Sequence, residues 1–112
     1  MRTLSILAAT YLTMAGLANA SDPLLGNWKT QNGETSEISR CGSGYCITAK
    51  TGQYAGRQIG TFSGKDDSYS GKITDPQTNR TYSGTLKVSG DSIKLTGCAM
   101  NVLCKSQTWT RR

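Results

Sequence analysis

Histidine does not occur anywhere in this 112-residue chain. Its absence removes the usual general base near neutral pH, and it also disfavours a zinc site. No serine sits in a glycine elbow, no basic run or basic helix occurs, and there is no heptad pattern or low-complexity segment. Acidic residues are scarce, 7 against 13 lysines and arginines, and they fall mostly in turns. Asp66-Asp67 reads as a solvated turn, not as a catalytic carboxylate pair. Asp75, placed directly before Pro76, has the position of a turn-forming residue whose carboxylate caps the backbone. These shortages together predict a protein without catalytic residues, bound metal or cofactor. The net charge of +6 is distributed singly along the chain, the pattern of a solvated positive surface that favours anionic envelope polymers or lipid head groups over nucleic acid.

The one long apolar run lies at the start. Arg2 supplies a positive first segment, Leu4 to Leu17 an apolar stretch, and Ala18-Asn19-Ala20 a small-residue cleavage site. This is the pattern of a signal peptide over residues 1–20, too short in its apolar part to span a bilayer. No cysteine follows the site, which argues against a lipoprotein. Residues 21–112 then form a single domain with no transmembrane segment, expected to be a periplasmic or secreted monomer.

All 4 cysteines lie in that domain, as Cys41 with Cys46 and Cys98 with Cys104. An even count in a small exported domain indicates disulfides, and four cysteines allow three pairings. The short separations predict the two local pairs, each flanking a turn or loop, worth roughly 2–3 kcal/mol apiece.

The stretch Ser68–Ser89 organises the rest. Tyr69, Gly71 and Ile73 alternate with Ser70, Lys72 and Thr74, and beyond a turn Tyr82, Gly84, Leu86 and Val88 alternate with Thr81, Ser83, Thr85 and Lys87. A period of two gives each arm one apolar and one polar face. Asp75-Pro76 opens the turn, and Asn79 stands where a left-handed residue is needed, which also explains it better than the glycosylation sequon Asn79-Arg80-Thr81 does. Further strands are predicted over 24–30, 35–41, 46–50, 58–64, 92–98 and 105–112. In the fourth, Ile59 and Phe62 have opposite parity around Gly60, which predicts a bulge or bend.

Eight short strands joined by tight turns remove their edges most simply by closing, so the expected fold is all-β, a small closed eight-stranded antiparallel up-and-down barrel. A β-sandwich is the alternative. Trp28, Tyr69, Ile73, Tyr82, Leu86, Val88, Ile93, Leu95 and Trp109 would point inward and either fill the barrel or leave room for one small ligand. The segment Ala99–Leu103 breaks the pattern. Met100, Val102 and Leu103 are apolar in what should be an exposed connection, either as a plug in the barrel end or as a tip that contacts a lipid, partner or ligand.

Several of these residues recur together. Gly26-x-Trp28-x-Thr30, Cys41-Gly42-x-x-x-Cys46, Gly71-Lys72-Ile73-x-Asp75-Pro76, Tyr82, and Gly97-Cys98 followed by Gln107-Thr108-Trp109-Thr110-Arg111 resemble domain-of-unknown-function family 2147, small exported bacterial proteins. The resemblance spans nearly the whole of residues 21–112. It implies a lipocalin-like barrel and no established activity. The chain departs from the family in a shortened segment, Thr51 to Ile59, and in having Tyr69 where the family has Trp. Lipocalin-like barrels often lay an arginine of the last strand across the tryptophan of the opening Gly-x-Trp, which gives Gly26, Trp28 and Arg111 a structural role.

The expected function is therefore an exported binding barrel for a small apolar or amphipathic molecule, with Trp28, Tyr69, Tyr82, Leu86 and Trp109 as candidate ligand contacts. The alternative is a protein-interaction module of the cell envelope, an inhibitor of a secreted enzyme or an accessory protein, acting through Met100, Val102 and Leu103.

Overall fold

The computed structural model describes residues 22–99 and 103–112. The segment 1–20 read in sequence as a signal peptide, and the loop residues Met100 and Val102, lie outside them. Eight strands follow in order: β1 (Gly26–Lys29), β2 (Thr35–Cys41), β3 (Gly44–Ala49), β4 (Gln58–Lys65), β5 (Ser68–Asp75), β6 (Arg80–Ser89), β7 (Ser92–Ala99) and β8 (Leu103–Arg111). Each pairs antiparallel with its neighbour in sequence, and β1 pairs with β8, so the sheet closes into an up-and-down barrel. The described residues contain no helix, hence none long and apolar enough to cross a membrane.

The turns explain the register. Asp75 accepts a bond at 2.9 Å from the Gln77 amide through its carboxylate. Its backbone carbonyl accepts one at 2.7 Å from Asn79, which takes a left-handed φ of 63°. Tyr69 then opposes Leu86, and Ile73 opposes Tyr82, all on the inner face. Alternation of inner and outer positions runs along β6 and the first half of β7. On the third ladder Ile47 opposes Gly60 while Thr48 opposes Gln58, so Ile59 is the additional residue of a bulge. That bulge resolves the opposite parity of Ile59 and Phe62.

Three strand starts differ from the sequence reading. The turn between β2 and β3 takes only two residues, Gly42-Ser43, because Cys41 already opposes Gly44. Tyr45 is therefore a strand residue and points into the core. β1 starts at Gly26, leaving Leu24 and Leu25 outside the ladder, and β8 starts at Leu103, two residues before Lys105. Both cysteine pairs are local disulfides. Cys98 and Cys104 are directly opposed with Cα atoms 4.0 Å apart, whereas Cys41 and Cys46 are linked diagonally at 5.7 Å. Two such bonds indicate an oxidising, extracytoplasmic environment.

The core is uneven along the barrel axis. One end is sealed by the chain segment that precedes β1. Leu24 inserts there fully buried, and Trp28 donates its indole N–H to the Leu24 carbonyl at 3.0 Å. Arg111, opposite Trp28 in the β1–β8 ladder, holds its guanidinium 4.1 Å from the Trp28 ring centre. The same guanidinium donates to the Leu25 carbonyl at 2.7 Å and to the Pro23 carbonyl. Asp22 accepts from the Tyr45 hydroxyl at 2.9 Å, and Tyr45 meets Tyr69 edge-on at 5.4 Å. Burial, then the Asp22 carboxylate, pushes the Tyr45 phenol above its usual range, and burial does the same to Tyr69.

The waist is set by small residues. Phe62 opposes Gly71, which opposes Gly84, which opposes Gly97, a row of glycines across three strands. A Cβ on Gly71 would collide with the Thr61 carbonyl, and one on Gly84 would stand 3.1 Å from the Phe62 ring. The ring thus takes the space a side chain at Gly84 would have filled, while Gly97 faces Ile73 and Tyr82, and Ile47 shares the core with the ring.

Candidate functional site

At the other end the described residues leave the barrel open. Strand β8 shows the change most directly. Trp109, Gln107, Lys105 and Leu103 share the inward parity, yet only Trp109 is buried. Leu103 is 73% exposed, the one large hydrophobic side chain so exposed among the described residues. A strand exposed on both faces borders solvent on its inner side as well. The space it borders is a cup of about 960 Å³, within the ~300–1,000 Å³ typical of small-molecule sites.

The cup is amphipathic by construction. Its wall carries Ala49, Ile59, Ile73, Tyr82, Leu95 and Trp109. Ile73 and Tyr82 face each other across β5 and β6, and the bulge at Ile59 turns that side chain to the same space. Trp109 is held by a 2.9 Å bond from its indole N–H to the Gln107 side chain. Polar groups gather at the mouth, among them Glu34, Thr51, Asp75, Arg80 and Lys105.

Hydrogen bonds between loops fix part of the rim. Thr51 donates its hydroxyl to the Glu34 carboxylate at 2.7 Å and accepts from the Thr35 amide at 2.8 Å, joining the β1–β2 and β3–β4 connections. Gly52 has a φ of +84°, a conformation that favours glycine, and lies close to the movable end of the same Glu34 side chain. Arg57 donates to the Asn79 side chain at 3.1 Å, tying the β3–β4 loop to the β5–β6 turn. The shortened segment after Cys46 is therefore a strut of the mouth.

The candidate residues separate into two groups. Tyr82 and Trp109 line the cup, and Leu103 stands at its edge. Trp28, Tyr69 and Leu86 lie in the packed half and do not line it. Gly26 and Arg111 belong to the sealed end, where a Cβ on Gly26 would stand 3.1 Å from the guanidinium. Sequence reasoning missed Ser36, Ala49, Lys105 and Gln107 as cup residues. Parity carried back from Trp109 would have found the last two. Among the described residues no cluster of three or more potential metal-ligating side chains occurs, and all four cysteines are spent in disulfides.

Residues 49–111 match the family described as an uncharacterized protein conserved in bacteria, domain-of-unknown-function family 2147. The chain belongs to this family. The matched span begins at the last residue of β3, so it takes in most of the cup wall, the second disulfide and the Trp109–Arg111 segment. The opening Gly26-x-Trp28 and the Cys41–Cys46 pair, which also carry the resemblance in sequence, lie outside the span. No curated protein and no solved structure matches the chain. Membership in family 2147 thus brings a bacterial setting and no named activity.

Proposed function

We propose that this member of family 2147 is a binding barrel for one small amphipathic molecule, acting outside the cytoplasm as a periplasmic or secreted protein without catalytic activity. The observation that carries the reading is the cup itself, an apolar wall of Ile59, Ile73, Tyr82, Leu95 and Trp109 below a charged and hydroxyl-bearing mouth. An apolar wall left open to water is unfavourable by ~25 cal/mol per Å² relative to a covered one. A ligand tail covers it, and the mouth solvates a polar head. The second reading, contact with an envelope protein, is favoured by Leu103, which stands exposed beside the Cys98–Cys104 disulfide where a partner could bury it.

Trp109 makes the first reading testable. In Trp28→Phe protein it is the only indole left, and it lies at the cup. Titration with 1-anilinonaphthalene-8-sulfonate should shift its emission saturably at one probe per chain, and Ile73→Gln should weaken the titration. Native mass spectrometry of protein extracted from the cell envelope should show an added small mass. An unaltered Trp109 spectrum, together with an unliganded mass, would overturn the proposal.

A further inference from the structure

The outer side of β4 to β8 has a composition found nowhere else on the barrel. From Thr61 to Thr110, each outward strand position is serine, threonine, lysine or a cysteine of the second disulfide, and no carboxylate is among them. The register aligns these residues into rows around the barrel. Ser63, Ser70, Thr85, Thr96 and Ser106 are successive partners across five strands. The adjacent row runs Lys65, Ser68, Lys87, Lys94 and Thr108.

That second row carries an electrostatic cost. Lys87 and Lys94 are directly opposed, an arrangement that destabilises a sheet pair. Neither they, Lys65 nor Lys72 makes an ion pair among the described residues, where the ion pairs are Arg40 with Asp22 and Lys50 with Glu37. Asp66, Asp67 and Asp91 lie in the turns next to this row, and Asp75, three residues beyond Lys72, has the inward parity of β5; none of them forms an ion pair with these lysines. A shallow depression of about 340 Å³ opens on the wall between β4, β5 and β6, bordered by Ser63, Ser68, Ser70, Thr85 and Lys87 together with Gly64 and the inward-facing Tyr69 and Leu86. Hydroxyls, unpaired lysines and a recess are thus concentrated on one wall.

We infer that this wall is a docking surface for a linear acidic polysaccharide. Its acid groups would neutralise Lys65, Lys87 and Lys94, relieving the Lys87–Lys94 repulsion. Serine and threonine hydroxyls both donate and accept, as sugar hydroxyls do. Neighbouring strands are ~4.8 Å apart, close to the length of one sugar along an extended glycan, so successive units meet successive strands. A lipid surface fits less well because the wall offers no exposed apolar side chain to insert among acyl chains, Tyr69 and Leu86 being buried, and interfacial binding needs one in addition to charge.

Sodium alginate is a suitable probe, with neutral dextran as its uncharged counterpart. The full protein should bind alginate, release it as salt rises, and ignore dextran. The double substitution Lys87→Gln/Lys94→Gln should weaken alginate binding by about tenfold. Lys50→Gln/Arg57→Gln removes two charges from the β3–β4 side and should leave binding within about twofold. Lys94→Glu should raise the Tm of polymer-free protein, by placing a carboxylate opposite Lys87, while it lowers alginate binding. Equal losses from both double substitutions would reduce the effect to net charge and overturn the proposal. So would absence of alginate binding at low salt, or binding to phosphatidylglycerol vesicles with alginate ignored. The 1-anilinonaphthalene-8-sulfonate titration of the cup should be unaffected by the wall substitutions, which keeps the two sites separable.

Discussion

The two ends of this barrel are built from the same strands with opposite use of the inner face. β8 carries both programs within nine residues: Arg111 at the sealed end, Leu103, Lys105 and Gln107 toward the mouth, and the buried Trp109 at the boundary as the inner wall of the cup. The sealed half concentrates aromatic rings, an arginine and the inserted Leu24. The open half keeps the inward parity and fills it with small, polar or partly wetted side chains. Stability and binding capacity are thereby assigned to different heights of one sheet. Side-chain volume draws the boundary, where the Phe62 ring packs against Gly84 in the glycine row.

Substitutions at the two ends should therefore differ in kind, and the largest effect belongs to the sealed end. Trp28→Ala should remove about 3–5 kcal/mol of unfolding free energy in denaturant titration, the cost of deleting a fully buried aromatic. A loss no larger than that of a mouth substitution would dissolve the distinction between the halves. Next comes Arg111→Ala, at about 2 kcal/mol for a guanidinium that stacks on an indole and donates to two carbonyls. Arg112 points outward and makes an exposed bond to the Gly33 carbonyl at 2.9 Å. Arg112→Ala should change stability by less than about 0.5 kcal/mol. Equal effects from both arginines would favour an unclosed sheet.

A smaller effect depends on pH. The Tyr45 phenol is held neutral in the folded chain above the pH at which it ionises unfolded. Its contribution is fully present below about pH 10 and is lost as pH rises through the higher folded value. Tyr45→Phe should cost about 1 kcal/mol at neutral pH, for the bond to Asp22, and should flatten the alkaline fall in stability. An alkaline limb identical to that of the parent protein would assign the fall to other groups. The smallest expected change is Leu103→Ser at the mouth, within about 0.5 kcal/mol of the parent protein. A larger loss there would mean that the side chain is covered.

Much of the architecture was legible. Alternation gave the eight strands, the Asp75–Asn79 turn chemistry set the central register, and the parity conflict at Ile59 and Phe62 located the bulge. The cysteine spacings gave both disulfides, and the Gly-x-Trp resemblance gave the Arg111 stack. The division between halves was not legible, for a geometric reason. Parity tells which face a side chain takes, but strand tilt and stagger decide its height in a barrel. Tyr69 and Tyr82 share a face and read alike, yet one is packed and the other lines the cup. Tyr45 was hidden for a different reason: a two-residue turn and a four-residue turn around Gly42 are both compatible with the glycines present, and only pairing distinguishes them.

The β1–β8 seam also has a kinetic meaning. Seven of the eight ladders join strands consecutive in sequence and close over short turns, whereas this one joins the two ends of the domain and must enclose nearly all of it. The entropy of closing so long a loop is met by two register positions, Trp28 with Arg111 and Lys29 with Thr110. Docking of β1 onto β8 should therefore be the late step of folding and the first to reverse, with the indole–guanidinium stack as its latch. Amide hydrogens of β1 should exchange with solvent well before those of β5 and β6. Each such opening would part the side of the barrel next to Trp109, giving the cup a lateral door that the mouth loops do not control.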